Sequence, residues 1–112
     1  MELLESKRRV LENQPAMTFE EFYPTYLAAH ADQRTRAVHA TCLVSALTVA
    51  TLGLLTRRPH WLLAALALGY LPAFVSHWVF EENQPKTFED PLNSIKGDFV
   101  MTYQLLTGTL AP

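Results

Sequence analysis

Two runs of twenty residues, Ala37 to Thr56 and Trp61 to Phe80, contain no Asp, Glu, Lys or Arg, and Arg57 and Arg58 stand in the short gap between them. A helix rises 1.5 Å per residue, so about twenty apolar residues match the ~30 Å hydrocarbon core of a bilayer. The pattern predicts a transmembrane helical hairpin. The competing arrangement is a buried hairpin in a soluble bundle, whose apolar runs are usually shorter or amphipathic, and length favours the membrane. The first run carries hydroxyls at Thr41, Ser45, Thr48, Thr51 and Thr56, which a span accommodates by bonding them to its own backbone or to a neighbouring helix. Arg34 and Arg36 at one end balance Arg57 and Arg58 at the other, so basic residues do not set the orientation. Met1 to Gln14 is dense in charge and precedes any apolar run, so no secretory signal is expected. The expected location is an integral membrane one: a bacterial inner membrane, or the endoplasmic reticulum membrane of a eukaryote.

Whole-chain totals conceal this segregation. The chain is 49% hydrophobic and 18% charged, with a net charge of −2. No basic surplus exists for nucleic acid, and the apolar content is too high for disorder. Cys42 is the single cysteine, which excludes an intramolecular disulfide framework and a cysteine metal cluster. Any metal would need His and carboxylate ligands.

The flanks read as amphipathic helices. Thr18 and Glu21 have capping-box spacing, and Phe19, Phe22, Tyr23, Tyr26, Leu27 and His30 share one helical face. Pro24 is expected to interrupt or restart this helix. Asp90 and Pro91 form an N-cap and first-turn pair, after which Leu92, Ile95, Phe99, Tyr103 and Leu106 make one stripe. Gly108 and Pro112 mark its end. Neither helix is apolar enough to span, so each packs on the hairpin or lies at the interface. The predicted fold is all-α, a small integral membrane helical bundle forming one domain over 1–112. It comprises a charged segment (1–17), an amphipathic helix (18–31), the transmembrane hairpin (37–56 and 61–80) and a C-terminal helix (90–107). Glu12-Asn13-Gln14-Pro15 recurs as Glu82-Asn83-Gln84-Pro85, each followed by Thr-Phe-Glu. Shared helix-start grammar explains this echo better than duplication. Asn83, Thr87 and Ser94 read as caps rather than catalytic groups.

Hairpin geometry sorts the four histidines. With the turn centred on Arg58, residues at equal depth have numbers summing to about 116, a condition that His39 and His77 satisfy. His30, close before His39, can fold onto the same end, whereas His60 beside the turn lies roughly 30 Å away. Three converging imidazoles form a first shell suited to iron, zinc, copper or nickel. Glu81, four residues after His77, is placed to be a fourth ligand or to orient a histidine, and Asp98 can join from the last helix. Tyr26, one turn before His30, can add a hydrogen bond or simply pack, and Cys42 reads as a small buried thiol.

The segments Thr18 to His30, Arg36-Ala37-Val38-His39, Gly69-Tyr70, His77 to Phe88 and Pro91 to Asp98 together resemble a small membrane protein family, formerly of unknown function, that includes the 2-hydroxy fatty acid dioxygenase of fatty-acid α-oxidation. The resemblance spans about residues 18 to 101. It implies an Fe(II)-dependent membrane enzyme that uses O2 to shorten a long-chain 2-hydroxy fatty acid by one carbon, with His30, His39 and His77 as metal ligands. Such an acid can chelate iron through its carboxylate and hydroxyl while its alkyl chain stays in membrane lipid. Arg36 would then pair with the substrate carboxylate or anchor a lipid phosphate.

Two alternatives stand beside this reading. One is a non-catalytic, metal-stabilised membrane module that binds lipid or a partner. The other is a zinc hydrolase with Glu81 as general base. A four-helix protomer this small has little interior, so a homo-oligomer is expected.

Overall fold

The computed structural model describes residues 17–111, which are all-helical with no strand among them. The charged segment before Met17, the first Glu-Asn-Gln-Pro copy and Pro112 lie outside the described residues. Helix α1 spans Phe19–Ala29, α2 Gln33–Leu55, α3 Trp61–Ser76 and α4 Pro91–Thr107. A π-helical turn, His77–Glu81, prolongs α3, and a 3-10 turn, Lys86–Phe88, precedes α4.

Helix α2 and the continuous segment Trp61–Glu81 are long and apolar enough to cross a membrane. They pair side by side as an antiparallel hairpin. Only 17% and 22% of their most apolar windows are buried within the protein, whereas the core helix of a soluble bundle would be mostly covered. Leu63, Leu66, Leu71, Val75 and Val79 all point outward. Thr48 and Thr56 return their hydroxyls to the carbonyls of Val44 and Leu52 at 2.8 and 2.6 Å, which removes the polar cost of an apolar surround.

Helix α1 starts as its sequence predicts, with Thr18 Oγ1 accepting the Glu21 N–H at 3.2 Å. It does not break at Pro24. The helix runs through that residue, because Pro24 lies on the exposed face, where water can satisfy the carbonyl left without a partner. Its apolar face packs on α4: Phe22, Tyr26 and Met101 form the buried core, flanked by Phe19, Tyr23, Leu27 and Leu105.

Helix α4 begins at the Asp90 cap, whose side chain accepts the Asn93 N–H at 3.2 Å, and ends at left-handed Gly108. Its packing face is the small-residue side. The stripe Leu92, Ile95, Phe99, Tyr103 and Leu106 is exposed, and the buried face is Ser94, Gly97, Met101 and Thr102. The cause is steric. A Cβ on Gly97 would sit 2.9 Å from the Tyr26 ring, so the small residues admit the aromatic face of α1 and turn the large apolar ones outward. The echoed Thr-Phe-Glu segments also differ: Thr18 caps an α-helix, whereas Thr87 lies inside the 3-10 turn.

Candidate metal centre

His39 and His77 face each other across the hairpin with ring centroids 5.0 Å apart. The chain between α1 and α2 folds His30 onto the same end, 4.4 and 4.3 Å from those two rings. All three are buried, and one ligand atom from each lies within 4.8 Å of the others. His60 is exposed beside the turn at the far end of the hairpin.

The outer nitrogens fix the tautomers. His30 Nδ1 donates to the Tyr26 carbonyl at 2.6 Å, and His39 Nδ1 to the Thr35 carbonyl at 2.9 Å. A carbonyl only accepts, so both Nδ1 atoms carry protons. His77 Nδ1 meets Asn83 Oδ1 at 2.8 Å, while Asn83 Nδ2 donates to the Ala29 carbonyl at 3.1 Å. That second bond orients the amide and makes His77 Nδ1 a donor too. Each neutral ring therefore directs an Nε2 lone pair inward, where His30 Nε2 lies 3.1 Å from His39 Nε2 and 2.9 Å from His77 Nε2. Three lone pairs so close repel unless a cation lies among them. Ligands ~2.1 Å from a metal at right angles are ~3.0 Å apart, so both spacings suit neighbouring positions around one metal ion, which three histidines would leave with further positions open.

Local structure explains how each ring is held. His30 and His39 each donate to the carbonyl four residues earlier, in the last turn of α1 and the first turn of α2. His77 begins the π turn, which closes when Glu82 adopts a left-handed φ of 55° and the Asn83 N–H reaches the His77 carbonyl at 3.1 Å. A glutamate in that region costs about 1–2 kcal/mol, offset by bringing Asn83 beneath His77. Asn83 thus orients a ring instead of capping a helix, the role that sequence reasoning missed. Helical spacing from His77 gives no hint of it, because only the π turn and the left-handed residue return the chain.

The remaining candidates fall in different places. Tyr26 stacks on His30 at 3.9 Å and donates its hydroxyl to Asp98. Burial foremost, then the Asp98 charge, raises the Tyr26 pKa well above its usual value. Burial also raises Asp98, from 3.8 to about 6, against the opposing effect of the Tyr26 bond. Burial, followed by repulsion from His39, lowers His30 to about 2. Asp98 lines the small chamber around the histidines but is not one of the three clustered donors. Glu81 is not among them either: its Oε1 accepts the Asp32 N–H at 2.7 Å, where α2 begins. Arg36 is likewise committed, its Nε to the His30 carbonyl at 2.7 Å and a terminal nitrogen to the Ala111 carbonyl at 2.9 Å. It satisfies the carbonyl at the end of α1 and does not line the chamber. Cys42 is a buried free thiol. Ser94 lines the chamber, and its buried hydroxyl has no hydrogen-bond partner.

A family model described as 2-hydroxy-palmitic acid dioxygenase Mpo1-like matches residues 16–110. No curated protein and no solved structure matches the chain.

Proposed function

The chain belongs to the Mpo1-like family, and on that premise we propose that it is an Fe(II)-dependent membrane dioxygenase that shortens a long-chain 2-hydroxy fatty acid by one carbon. The observation that carries this reading is the convergence of three buried, neutral histidine nitrogens with all three outer nitrogens already bonded. His30, His39 and His77 would hold the iron. When bound, it would supply a centre at which O2 and a chelating 2-hydroxy acid meet. The two long apolar helices support an integral membrane location, where the substrate's alkyl chain already resides.

The chain's own residues supply the rest. The Tyr26 and Thr35 carbonyls and the Asn83 amide hold the rings in one tautomer and one orientation, and such partners typically support metal affinity by 10–100-fold. The Tyr26 ring covers one face of His30, and Asp98 holds the Tyr26 hydroxyl in place. Burial of the cluster keeps bulk water from it. The overall change balances without another reductant: R–CH(OH)–COOH and O2 give R–COOH, CO2 and H2O.

Zinc would find the same three donors suitable, but a hydrolase also needs a free general base, and Glu81 is bound to the Asp32 N–H. Anaerobically purified protein should carry stoichiometric iron. Given 2-hydroxypalmitate and O2, it should release the C15 acid, read by mass spectrometry. Stoichiometric zinc, or no shortened acid over a range of chain lengths, would sink the proposal, the latter in favour of a non-catalytic lipid-binding module.

A further inference from the structure

Of the apolar hollows that flank the hairpin, one shares walls with the histidine chamber. That one, about 440 Å³, lies between α2, α3 and α4, with Leu47, Ala50, Leu66 and Phe99 among its walls. At its inner end Gly69, Tyr70 and Asp98 also belong to the wall of the histidine chamber. A second, about 480 Å³, lies on Val38, Leu71, Val75 and Val79 and shares no residue with the chamber.

The chamber itself has about 10 Å³ of open space, too little for an alkyl chain. Yet it contains an unmet polar demand. Ser94 is 2% exposed, and its Oγ has no partner, an arrangement that native proteins normally avoid unless something else completes the bond. At the shared wall Gly69 has no side chain. A Cβ there would stand 3.3 Å from the Ala46 Cβ, and anything larger would crowd it.

We propose that the α2–α3–α4 groove is the track for the alkyl chain of a single-chain acid whose polar end meets the chamber at Gly69, Tyr70 and Asp98, with the Ser94 hydroxyl bonding that end. The identity of the acid rests on the dioxygenase reading; the track rests on the shared walls. Along α3 from Tyr70 to Leu62 the track runs roughly 12 Å toward the Arg57–Arg58 turn, and a longer chain emerges there. Lipid is as apolar as the groove, so the track gains little affinity from burial. Its work is to aim the carboxyl end and exclude chains that arrive with a bulky headgroup.

The test uses the intact protein in phosphatidylcholine nanodiscs with 2-hydroxypalmitate bearing a mid-chain diazirine. After irradiation, mass mapping should place the label on Leu47, Leu66 or Phe99 in preference to Val75 or Val79. Ala50→Phe and, from the opposite wall, Leu66→Trp should each lower groove labelling by about tenfold through overpacking, with metal content retained as evidence of folding. Val75→Phe should leave groove labelling unchanged. Ser94→Ala should weaken competition by unlabelled 2-hydroxypalmitate by about fivefold, the loss of one hydrogen bond. Equal labelling of both hollows, groove labelling indifferent to both filling variants, or equally strong labelling there by a diazirine phosphatidylcholine would overturn the track. The two readings fail separately: C15 acid formed with labels outside the groove removes the track alone, and groove labelling without C15 acid removes the dioxygenase alone.

Discussion

The two ends of the hairpin carry similar residue types and have different fates. At the turn, Arg57, Arg58 and His60 are exposed, and Leu54, Leu55 and Leu63 beside them face outward. At the other end His39 and His77 are buried, because α1 and α4 close over that end and deliver His30. An imidazole by itself is therefore uninformative. It is suited to hold a metal where packing removes water and an acceptor occupies Nδ1, and exposed His60 does not meet the first condition.

The widest separation between the two ends should appear in metal content. His30→Ala, His39→Ala and His77→Ala are each expected to abolish stoichiometric iron, whereas His60→Ala should retain it, as measured by elemental analysis of anaerobically purified protein. Retention of iron by all three variants would show that the convergent nitrogens are not its ligands. Asn83→Ala should weaken metal affinity by about 10–100-fold through loss of the His77 orientation, and Gln84→Ala, on an exposed neighbour, should not. An equal loss in both would show that the segment acts through folding alone.

Much of this end was legible in the sequence, and the misses have physical causes. Hairpin symmetry alone paired His39 with His77, because two antiparallel helices of fixed rise leave little freedom in depth. The orienting residue Asn83 was hidden, since a π turn and a left-handed glutamate leave no periodic trace. In helix α4 the large apolar stripe does not reveal which face packs inward: Gly97 admits the Tyr26 ring, and Phe99 and Leu106 face outward. Arg36, expected to pair with a substrate carboxylate or a lipid phosphate, bonds the otherwise unsatisfied carbonyl of His30, a local partner that spacing does not reveal.

Buried polar groups should also make stability at the histidine end depend on pH. Asp98 is raised to about 6 in the folded protein from 3.8, so between those values the folded state holds a proton that the unfolded state releases. Asp98 by itself therefore lowers stability as pH rises from about 4 to about 6, while His30, held at about 2 against 6.5 when unfolded, raises stability over the same window by at least as much. Asp98→Asn keeps an acceptor for the Tyr26 hydroxyl and removes the buried charge. It should make stability rise more steeply with pH across this window in denaturation of the detergent-solubilised protein, and an unchanged slope would assign the effect elsewhere.

The smallest contrast concerns the backbone. Arg57 at φ 59° and Glu82 at φ 55° are the two non-glycine left-handed residues among those described, one at each end of the second span. Each bears the steric cost of its Cβ, about 1–2 kcal/mol, and glycine relieves it while adding about 0.5–1 kcal/mol of unfolded-chain entropy. Arg57→Gly should thus stabilise by about 1 kcal/mol or less and leave iron binding untouched, since the turn holds nothing but the reversal of the chain. Glu82→Gly should gain a similar amount, but the residue also fixes how the chain returns to place Asn83 under His77. A glycine there samples other conformations in the iron-free protein, so metal affinity should fall severalfold even as the global stability rises. Matched stability gains with iron affinity lowered only at Glu82 would show that the left-handed glutamate serves the histidine. Equal affinities in both variants would reduce it to a turn like the one at Arg57.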